Sequence, residues 1–316
     1  MRAAIIGLGQ IAWRYDGGDP VDGSALTHLS ALRQAGISVI GAYDPDAKAR
    51  KSFTEETGIK IYDTINGLLA ADPDVVTIAS PNRFHAEHLK VCLDAGVKYV
   101  WLEKPATTDL AEIDELAALA SRQGARVMVG FQRRYMPCYQ ALRQKDLGAL
   151  IGIDVTYSRG LETNGAHMVD LVLSLLGDKM PSFIGAVSNT QSPTHTSEVS
   201  PSFLLQGANK VPVTVMGLDL DHHSIDIVVH YSGGRREVRH GGQSALTETK
   251  MPNPMFPGFY YLQSTHGPQD MRNEIGRVFP AMIQDLLHGT EPQPLSNLNS
   301  AGLGQTIVAQ VLNACA

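Results

Sequence analysis

Residues 3–12 read AAIIGLGQIA, a short apolar run that ends in the pattern G-x-G-x-x-A. The run predicts a buried strand, and the two glycines after it predict a tight turn into a helix. A second glycine lets the backbone approach a pyrophosphate, whose charge is stabilised by amides at a helix N-terminus. The candidate contacts are Gly7, Gly9, Gln10, Ile11 and Ala12. Taken alone, the pattern also fits any glycine turn between a strand and a helix.

The first 130 residues alternate short apolar runs with longer amphipathic stretches, which is typical of repeated β-α units around a parallel sheet. The predicted strands are residues 3–7, 39–43, 75–79, 99–102 and 126–130, and the predicted helices are residues 28–35, 47–57, 84–95 and 110–122. Each helix ends near a glycine, which adopts the left-handed conformation without a side-chain clash. We therefore predict a doubly wound Rossmann domain over residues 1–125.

The pattern changes after about residue 148. Apolar runs at residues 155–157, 213–215 and 225–231 predict strands of a mostly antiparallel open sheet, with Gly233-Gly234 as a hairpin turn. Helices are predicted near residues 166–176, 271–288 and 300–314, and a Ser/Thr/Pro-rich loop around residues 191–201. The prediction is an α/β protein of two domains, in which residues 126–316 form an α+β domain.

An acid follows the second predicted strand at Asp44, where a carboxylate would accept hydrogen bonds from the ribose hydroxyls of NAD. It lies 35 positions beyond Gly9, against roughly 20 in the simple fingerprint. Residues 13–27 are rich in Gly and Asp and lack a helical period, so an inserted loop explains the excess. No arginine occurs in the next few positions, and NAD is therefore favoured over NADP, whose 2′-phosphate the acid would repel. A solvated turn acid before Pro45 is the alternative.

Composition limits the partners and the compartment. The formal net charge is −6 and no run of five like charges occurs, so no nucleic-acid partner is expected. No run of eighteen apolar residues occurs, and the first residues predict a strand rather than a signal peptide, so no membrane association is expected. Three scattered cysteines without a Cys-x-x-Cys pair fit a reducing compartment. We therefore expect a cytoplasmic protein.

Several chemistries lack their central feature in this sequence. Neither a G-x-S-x-G elbow nor a phosphate-binding G-x-x-x-x-G-K-[ST] loop occurs, which disfavours a serine hydrolase and a nucleoside triphosphatase. The histidine-containing stretches at residues 85–88 and 219–223 have no standard zinc or iron spacing. No metal is therefore expected.

Further short motifs occur in a fixed order after the glycine turn: Pro81-Asn82-x-x-His85, Glu103-Lys104-Pro105, Arg134-Tyr135-x-Pro137, Gly148-x-x-x-Gly152 and Gly165-x-His167-x-x-Asp170. With this ordered set, the chain resembles the glucose-fructose oxidoreductase and inositol dehydrogenase family, also called Gfo/Idh/MocA, over nearly its full length. The resemblance implies NAD(P)-dependent hydride transfer to or from a secondary alcohol or ketone carbon of a sugar, cyclitol or nucleotide sugar. It also implies a cis peptide before Pro105, and a homodimer or homotetramer assembled through the open face of the second sheet.

The resemblance also implies roles for individual residues. Lys104 would lie beside the nicotinamide, and His167 would take the hydroxyl proton, which suits a side chain that exchanges protons near neutral pH. The structural alternatives are a surface lysine paired with Glu103 and a core or helix-start histidine. Further cofactor contacts are implied for Pro81, Asn82, His85 and Glu103, and substrate contacts for Arg134, Tyr135, Thr163, Asn164 and Asp170.

One position departs from the family pattern, which has an Asp four residues before the histidine, whereas this chain has Thr163. A carboxylate beside an imidazole raises its basicity and orients it, so a hydroxyl is predicted to leave His167 less basic. Glu162 or Asn164 is a partial substitute. The alternative function is a catalytically silent dinucleotide-binding sensor or regulator, which the presence of both Lys104 and His167 disfavours.

Overall fold

The computed structural model describes residues 1–21, 23–188, 198–264 and 266–316. These residues form two compact units. The first unit contains Met1–Tyr135 and Gly276–Gly302, and the second contains Met136–Ile275 and Leu303–Ala316. Each unit therefore combines two separate stretches of the chain.

A five-stranded parallel sheet forms the centre of the first unit. Its strands are β1 (Arg2–Ile6), β2 (Ser38–Tyr43), β3 (Val75–Ile78), β4 (Tyr99–Leu102) and β5 (Arg126–Val129). Their order across the sheet is β2-β1-β3-β4-β5, and all neighbours are parallel. The five predicted strands are confirmed to within one residue at each end. Nearly all positions of β3 and β4 are buried, as expected when helices cover a parallel sheet.

The connections between these strands are helical. The helices are α1 (His28–Gln34), α2 (Ala47–Thr57), α3 (Ile65–Leu69), α4 (His85–Asp94) and α5 (Ala111–Gln123). The four predicted helices are confirmed. Helix α3 was not predicted, because five residues are too few to show a helical period. Gly58 and Gly124 end α2 and α5 with φ angles of 70° and 61°, the left-handed conformation expected of a helix stop.

The predicted insertion interrupts the first connection. A single π-helical turn, Gln10–Arg14, follows the glycine turn, and α1 begins only at His28. Asp16 links the two, because its carboxylate accepts a hydrogen bond from the Thr27 hydroxyl (2.7 Å) at the start of α1. The extra residues therefore fold back and cap the N-terminus of α1.

The predicted domain boundary at residue 125 lies before β5, whereas the first compact unit continues to Tyr135. The reason is that β5 pairs with β4, so the first sheet needs it. Helix α8 (Val278–His288), predicted as part of the second domain, also belongs to the first unit. Arg126 on β5 anchors this returning segment, since its guanidinium donates to the carbonyl oxygens of Leu286 (2.9 Å) and Asp285 (2.8 Å).

A nine-stranded sheet forms the second unit. Its strands are β6 (Leu150–Ser158), β7 (Ser182–Val187), β8 (Ser202–Gln206), β9 (Pro212–Leu218), β10 (Ile225–Tyr231), β11 (Gly234–Arg239), β12 (Ser244–Pro252), β13 (Tyr260–Gln263) and β14 (Gln269–Asp270). The order is β13-β12-β11-β10-β6-β9-β8-β7, and β14 pairs with β12. Among the strands of the described residues, only β6 and β9 pair in parallel, so the predicted mostly antiparallel sheet is confirmed. The hairpin between β10 and β11 turns at Ser232 and Gly233, one position before the predicted turn.

Three helices contribute to the second unit: α6 (Pro137–Ala141), α7 (Ala166–Leu175) and the part of α9 (Leu298–Cys315) from Leu303 onward. Helix α7 is buried over most of its length and confirms the prediction for residues 166–176. The predicted loop at residues 191–201 lies largely outside the described residues. Within the described part of the chain, no helix has the length and apolar character needed to cross a bilayer.

Candidate active site

The turn after β1 exposes backbone at the carboxyl edge of the first sheet. Gly7 has a φ of 90°, and a Cβ built on it would lie 2.5 Å from the backbone nitrogen of Ser80, so glycine is required there. At Gly9, by contrast, a Cβ would meet no described atom within 4 Å. Gly9 and Gln10 are exposed, whereas Ala12 is buried. The open space at Gly9 is the feature that a pyrophosphate needs for a close approach to the backbone.

Asp44 follows β2, and its carboxylate is bonded to this turn. Oδ2 accepts a hydrogen bond from Leu8 N at 2.8 Å, and Oδ1 accepts one from Asp46 N at 2.8 Å. The residue is half-buried. Because each carboxylate oxygen has two lone pairs, each can accept a second bond from a ribose hydroxyl. The two hydrogen bonds from backbone amides therefore orient the carboxylate of Asp44 and leave it able to accept further hydrogen bonds.

An arginine that the motif did not reveal reaches the same end of β2. Arg50 Nη1 donates to the carbonyl oxygens of Asp44 (2.8 Å) and Pro45 (3.1 Å). It lies six positions after Asp44 in sequence, but the first turn of α2 brings it back beside the acid. The end of β2 therefore has a positive group close to it as well as a negative one.

Strand order places the predicted cofactor residues along one edge of the first sheet. Asp44 follows β2, Gly9 follows β1, Asn82 follows β3 and Lys104 follows β4, and these strands are neighbours in that order. Because neighbouring strands lie about 4.8 Å apart, the strands that end at Asp44 and at Lys104 are about 14 Å apart. Pro81 and Asn82 are exposed along the edge. The arrangement suits an elongated ligand that lies along this edge, with the protein's Asp44 near one end of it and Lys104 near the other.

Lys104 is half-buried in the loop after β4, and the Lys104–Pro105 peptide is cis, as predicted. Two residues assigned to the cofactor from sequence have partners within the protein. Glu103 is bonded to His28, and His85 lies between the carbonyl oxygens of Ser80 and Pro105. Through these contacts, Glu103 and His85 stabilise the loop after β4 that contains Lys104.

The two residues predicted to bind substrate at the end of the first unit contact its returning segment. The Tyr135 hydroxyl donates to Asp285 Oδ2 at 2.7 Å and accepts from Ser296 N at 3.1 Å. Burial, followed by the hydrogen bond to Asp285, raises the pKa of Tyr135, which therefore stays protonated. Arg134 is fully buried and donates to the carbonyl oxygen of Leu295 at 3.1 Å. These contacts give both side chains a structural role in the first unit, and their predicted contact with substrate stays a prediction.

His167 belongs to the second unit, near the start of α7. The π-helical segment Gly160–Gly165 leads into α7, and the backbone stays helical across the junction. The His167 side chain is 9% exposed, and Asp170, one turn further on, is fully buried. Thr163 lies four residues before His167, so both residues lie on the same side of this helix.

A carboxylate that no motif indicated is bonded to Thr163. Glu198 Oε1 accepts a hydrogen bond from the Thr163 hydroxyl at 2.7 Å, and Oε2 accepts one from Thr163 N at 2.9 Å. A Cβ on Gly160 would collide with this carboxylate, so the glycine makes room for it. Thr163 and Glu198 are 35 positions apart, so no short sequence motif indicates that they are bonded. The fold therefore brings a negative charge to within one helical turn of His167.

The residues on either side of Thr163 have other environments. Asn164 is buried, and its amide nitrogen donates to the carbonyl oxygen of Ser158 at 2.9 Å and lies 3.2 Å from His223 Nδ1. Glu162 is exposed. The carboxylate that is bonded at position 163 is therefore that of Glu198. Among the described residues, no group of three or more His, Cys, Asp or Glu side chains is placed to hold a metal ion.

The fold and this edge define a dinucleotide-binding Rossmann unit joined to an α+β unit. Residues 1–131 match the model of the oxidoreductase family with an NAD-binding Rossmann fold, GFO_IDH_MocA. The chain is 32% identical over 202 residues to D-glucoside 3-dehydrogenase of Escherichia coli, which covers 56% of this chain and 54% of that protein. It is 29% identical over 150 residues to UDP-N-acetylglucosamine 3-dehydrogenase of Acidithiobacillus ferrooxidans, with 47% and 42% covered.

The solved structure of the Acidithiobacillus ferrooxidans enzyme has the same fold, with a TM-score of 0.78 at 19% identity over 100% of this chain and 97% of that one. Residues 1–131 are therefore similar to the Gfo/Idh/MocA oxidoreductases, and the whole chain shares the fold of this solved structure. The sequence matches span about half the length of the curated relatives named here.

Proposed function

We propose that this chain is an NAD-dependent oxidoreductase that transfers a hydride between the nicotinamide and a secondary alcohol or ketone carbon of a sugar, cyclitol or nucleotide sugar. The observation that carries the proposal is the edge of the first sheet, where open backbone at Gly9, the acid Asp44 and Lys104 follow neighbouring strands. The named relatives support the substrate class, since both are 3-dehydrogenases of glucose-type sugars.

The residues of the first unit fit NAD. The space at Gly9 accommodates a pyrophosphate, and Asp44 retains acceptor capacity for ribose hydroxyls. Pro81 and Asn82 are exposed along the same edge toward Lys104. When bound, the nicotinamide supplies the hydride acceptor or donor. The carboxylate of Asp44 favours NAD, because it would repel a 2′-phosphate.

Lys104 and His167 are proposed to handle the proton and the charge on the substrate oxygen. The ammonium of Lys104 donates a hydrogen bond to that oxygen and stabilises negative charge as it develops. His167 acts as the general base that accepts the hydroxyl proton during oxidation and returns it during reduction. Glu198, held on Thr163 one turn before His167, favours the imidazolium that forms in this step.

A substrate screen tests the function. The chain is incubated with NAD and with polyols, sugars, sugar acids and nucleotide sugars in turn, and NADH formation is followed by absorbance. We expect turnover of at least one compound, its loss in Lys104→Met, and its retention in Lys90→Met. Lys90 is a matched control because it is exposed on α4 and paired with Asp94 at 2.7 Å. NAD binding without turnover of any compound would favour a sensor or regulator instead.

The cofactor preference is predicted to depend on Asp44 and its neighbour Arg50. Asp44→Ser is expected to improve NADPH binding relative to NADH by about 10-fold or more, since it removes a like charge worth about 1–4 kcal/mol at close range. It also leaves Arg50, which is bonded to the backbone carbonyl oxygen of residue 44, as a positive group close to this position. Fluorescence titration with both reduced cofactors measures the ratio, with Asp46→Ser as the control for an exposed acid nearby. Tighter binding of NADPH than NADH by the unchanged protein would contradict the assignment.

The Glu198 contact changes what Thr163→Asp is expected to do. The single variant places two carboxylates together, so we expect a lower Tm and a displaced Glu198. In the double variant Thr163→Asp, Glu198→Gln, the new carboxylate stabilises the imidazolium of His167. Because the neutral ring is the active base, activity should then set in at higher pH than in Glu198→Gln alone. Profiles of kcat/KM against pH measure this, and an unchanged Tm in the single variant would show that Glu198 does not occupy this position.

We further propose a cytoplasmic homodimer or homotetramer that binds neither nucleic acid nor membrane. Val187, Leu204 and Met216 lie on the adjacent strands β7, β8 and β9 and are 69%, 37% and 55% exposed. An apolar sheet face of this kind suits a second copy of the chain. The cysteines are free thiols, as a reducing compartment would leave them. Light scattering is expected to give twice or four times the chain mass.

A further inference from the structure

Two buried histidines hold the chain on either side of Lys104. The first, His28 at the start of α1, is fully buried, and its Nε2 lies 2.9 Å from Glu103 Oε1. Its ring stacks on Trp101 with centroids 3.9 Å apart and meets the edge of Phe279 at 6.0 Å. The aromatic contacts fix the ring, so the hydrogen bond fixes the carboxylate of Glu103.

Glu103 is restrained by its backbone as well. Its amide donates to the carbonyl oxygen of Ile78 on β3 at 2.9 Å. A Cβ on Gly130 would lie 2.7 Å from Glu103 Oε1, so the carboxylate packs directly against that backbone. The residue before Lys104 is therefore held by its side chain and its main chain together.

The second histidine, His85 at the start of α4, holds the residue after Lys104. It is fully buried, with Nδ1 2.6 Å from the carbonyl oxygen of Pro105 and Nε2 2.8 Å from that of Ser80. Both ring nitrogens therefore lie within hydrogen-bonding distance of a carbonyl oxygen, one on the loop after β4 and one on the segment after β3. The buried ring holds Pro105 against the segment that contains Ser80.

We propose that His28 and His85 are positioning residues that act on Lys104 through Glu103 and Pro105. One buried ring is bonded to the side chain of the residue before Lys104 and the other to the backbone of the residue after it, so these bonds oppose a shift of the Lys104 backbone. The direction in which the lysine side chain leaves the loop is set in this way. The inference rests on the proposed role of Lys104 in the reaction, and neither histidine needs to reach the substrate.

Loss of either anchor should lower kcat while cofactor affinity is retained. We expect His28→Leu and His85→Leu each to lower kcat by about 10- to 100-fold, since a displacement of about 1 Å can cost a reaction that much. His28→Gln keeps an N–H that can reach Glu103 and should recover most of the loss. The Kd for NADH should change by less than about threefold, because the lost interaction is made with the transition state.

His88 provides a matched control. It is a buried histidine on the same helix, α4, and its Nδ1 is bonded to the Ser80 hydroxyl at 2.9 Å instead of to the loop. His88→Leu should therefore keep kcat within about threefold of the unchanged protein. An equal loss of kcat in His88→Leu would overturn the proposal, because it would show a general effect of packing. Unchanged kcat in folded His28→Leu and His85→Leu would overturn it as well.

Two further measurements show whether the effect passes through Lys104. In a Lys104→Met background, His85→Leu should lower the residual rate no further, whereas an additional loss of the same size would contradict the proposal. Acylation of lysines by an amine-reactive reagent, read by mass spectrometry, needs no turnover. Both leucine variants should label Lys104 faster than the unchanged protein does, with Lys90 as the internal reference. Unchanged labelling overturns the positioning role, whereas faster labelling with no substrate found in any screen supports positioning and contradicts only the proposed function.

Discussion

Lys104→Met is expected to lower kcat by about 10²- to 10³-fold, the range that one donor to a developing negative charge contributes, while the Kd for NADH changes little. Methionine preserves the length and apolar stem of lysine but carries neither charge nor N–H, so the substitution tests the ammonium group alone. Stopped-flow measurement of hydride transfer, together with NADH titration, separates the chemical step from binding. A loss of NADH affinity equal to the loss of kcat would instead make Lys104 a cofactor-binding residue.

His167→Gln is the companion variant, and we expect a smaller loss with measurable residual activity. The residue one turn before the imidazole is Thr163, and the carboxylate of Glu198 is bonded to that threonine. His167 is therefore supported less directly than a base in contact with a carboxylate. A larger loss in His167→Gln than in Lys104→Met would contradict this weaker support of the imidazole.

Gly7→Ala is expected to destabilise the first unit by about 3 kcal/mol or more. Its φ of 90° is unfavourable for any residue with a side chain, and the new Cβ would lie 2.5 Å from Ser80 N and 2.6 Å from the carbonyl carbon of Ala79. Both are backbone atoms of the neighbouring segment and cannot rotate away. For a unit of this size the expected fall in Tm is about 6–12 °C, which differential scanning calorimetry measures.

Gly9→Ala is the matched variant two positions later. Its φ is −76°, and a Cβ there meets no described atom within 4 Å, so folding should be unaffected. The methyl group would occupy the space through which a pyrophosphate approaches the backbone, so NADH binding should weaken clearly. Equal destabilisation by both substitutions would contradict the geometry of the turn. Unchanged NADH binding in Gly9→Ala would show that the cofactor does not bind against the backbone of Gly9.

The local elements could be predicted from sequence because their causes are local. Apolar runs and amphipathic periods predicted the strands of the first sheet and the helices α1, α2, α4 and α5. The insertion at residues 13–27 was visible as a loss of period between the glycine turn and His28. Elements of about one turn, such as α3, are too short to carry a period and were missed.

Side-chain partners distant in sequence could not be predicted, because nothing in a local pattern encodes them. Arg126 and Tyr135 donate hydrogen bonds to Asp285, which lies about 150 positions later in a segment that returns to the first unit. Glu198 reaches Thr163 across 35 positions.

The sequence by itself therefore determined the class of fold, the glycine turn and the candidate reacting residues, since these depend on residue type and short spacing. Only the tertiary structure decided which side chains hold the candidate reacting residues in place. Glu103 and His85 match cofactor motifs in sequence, yet their hydrogen bonds go to His28 and to backbone carbonyl oxygens. The physical reason is that a buried polar group must find a partner wherever the folded chain supplies one, and that partner is chosen by proximity in space.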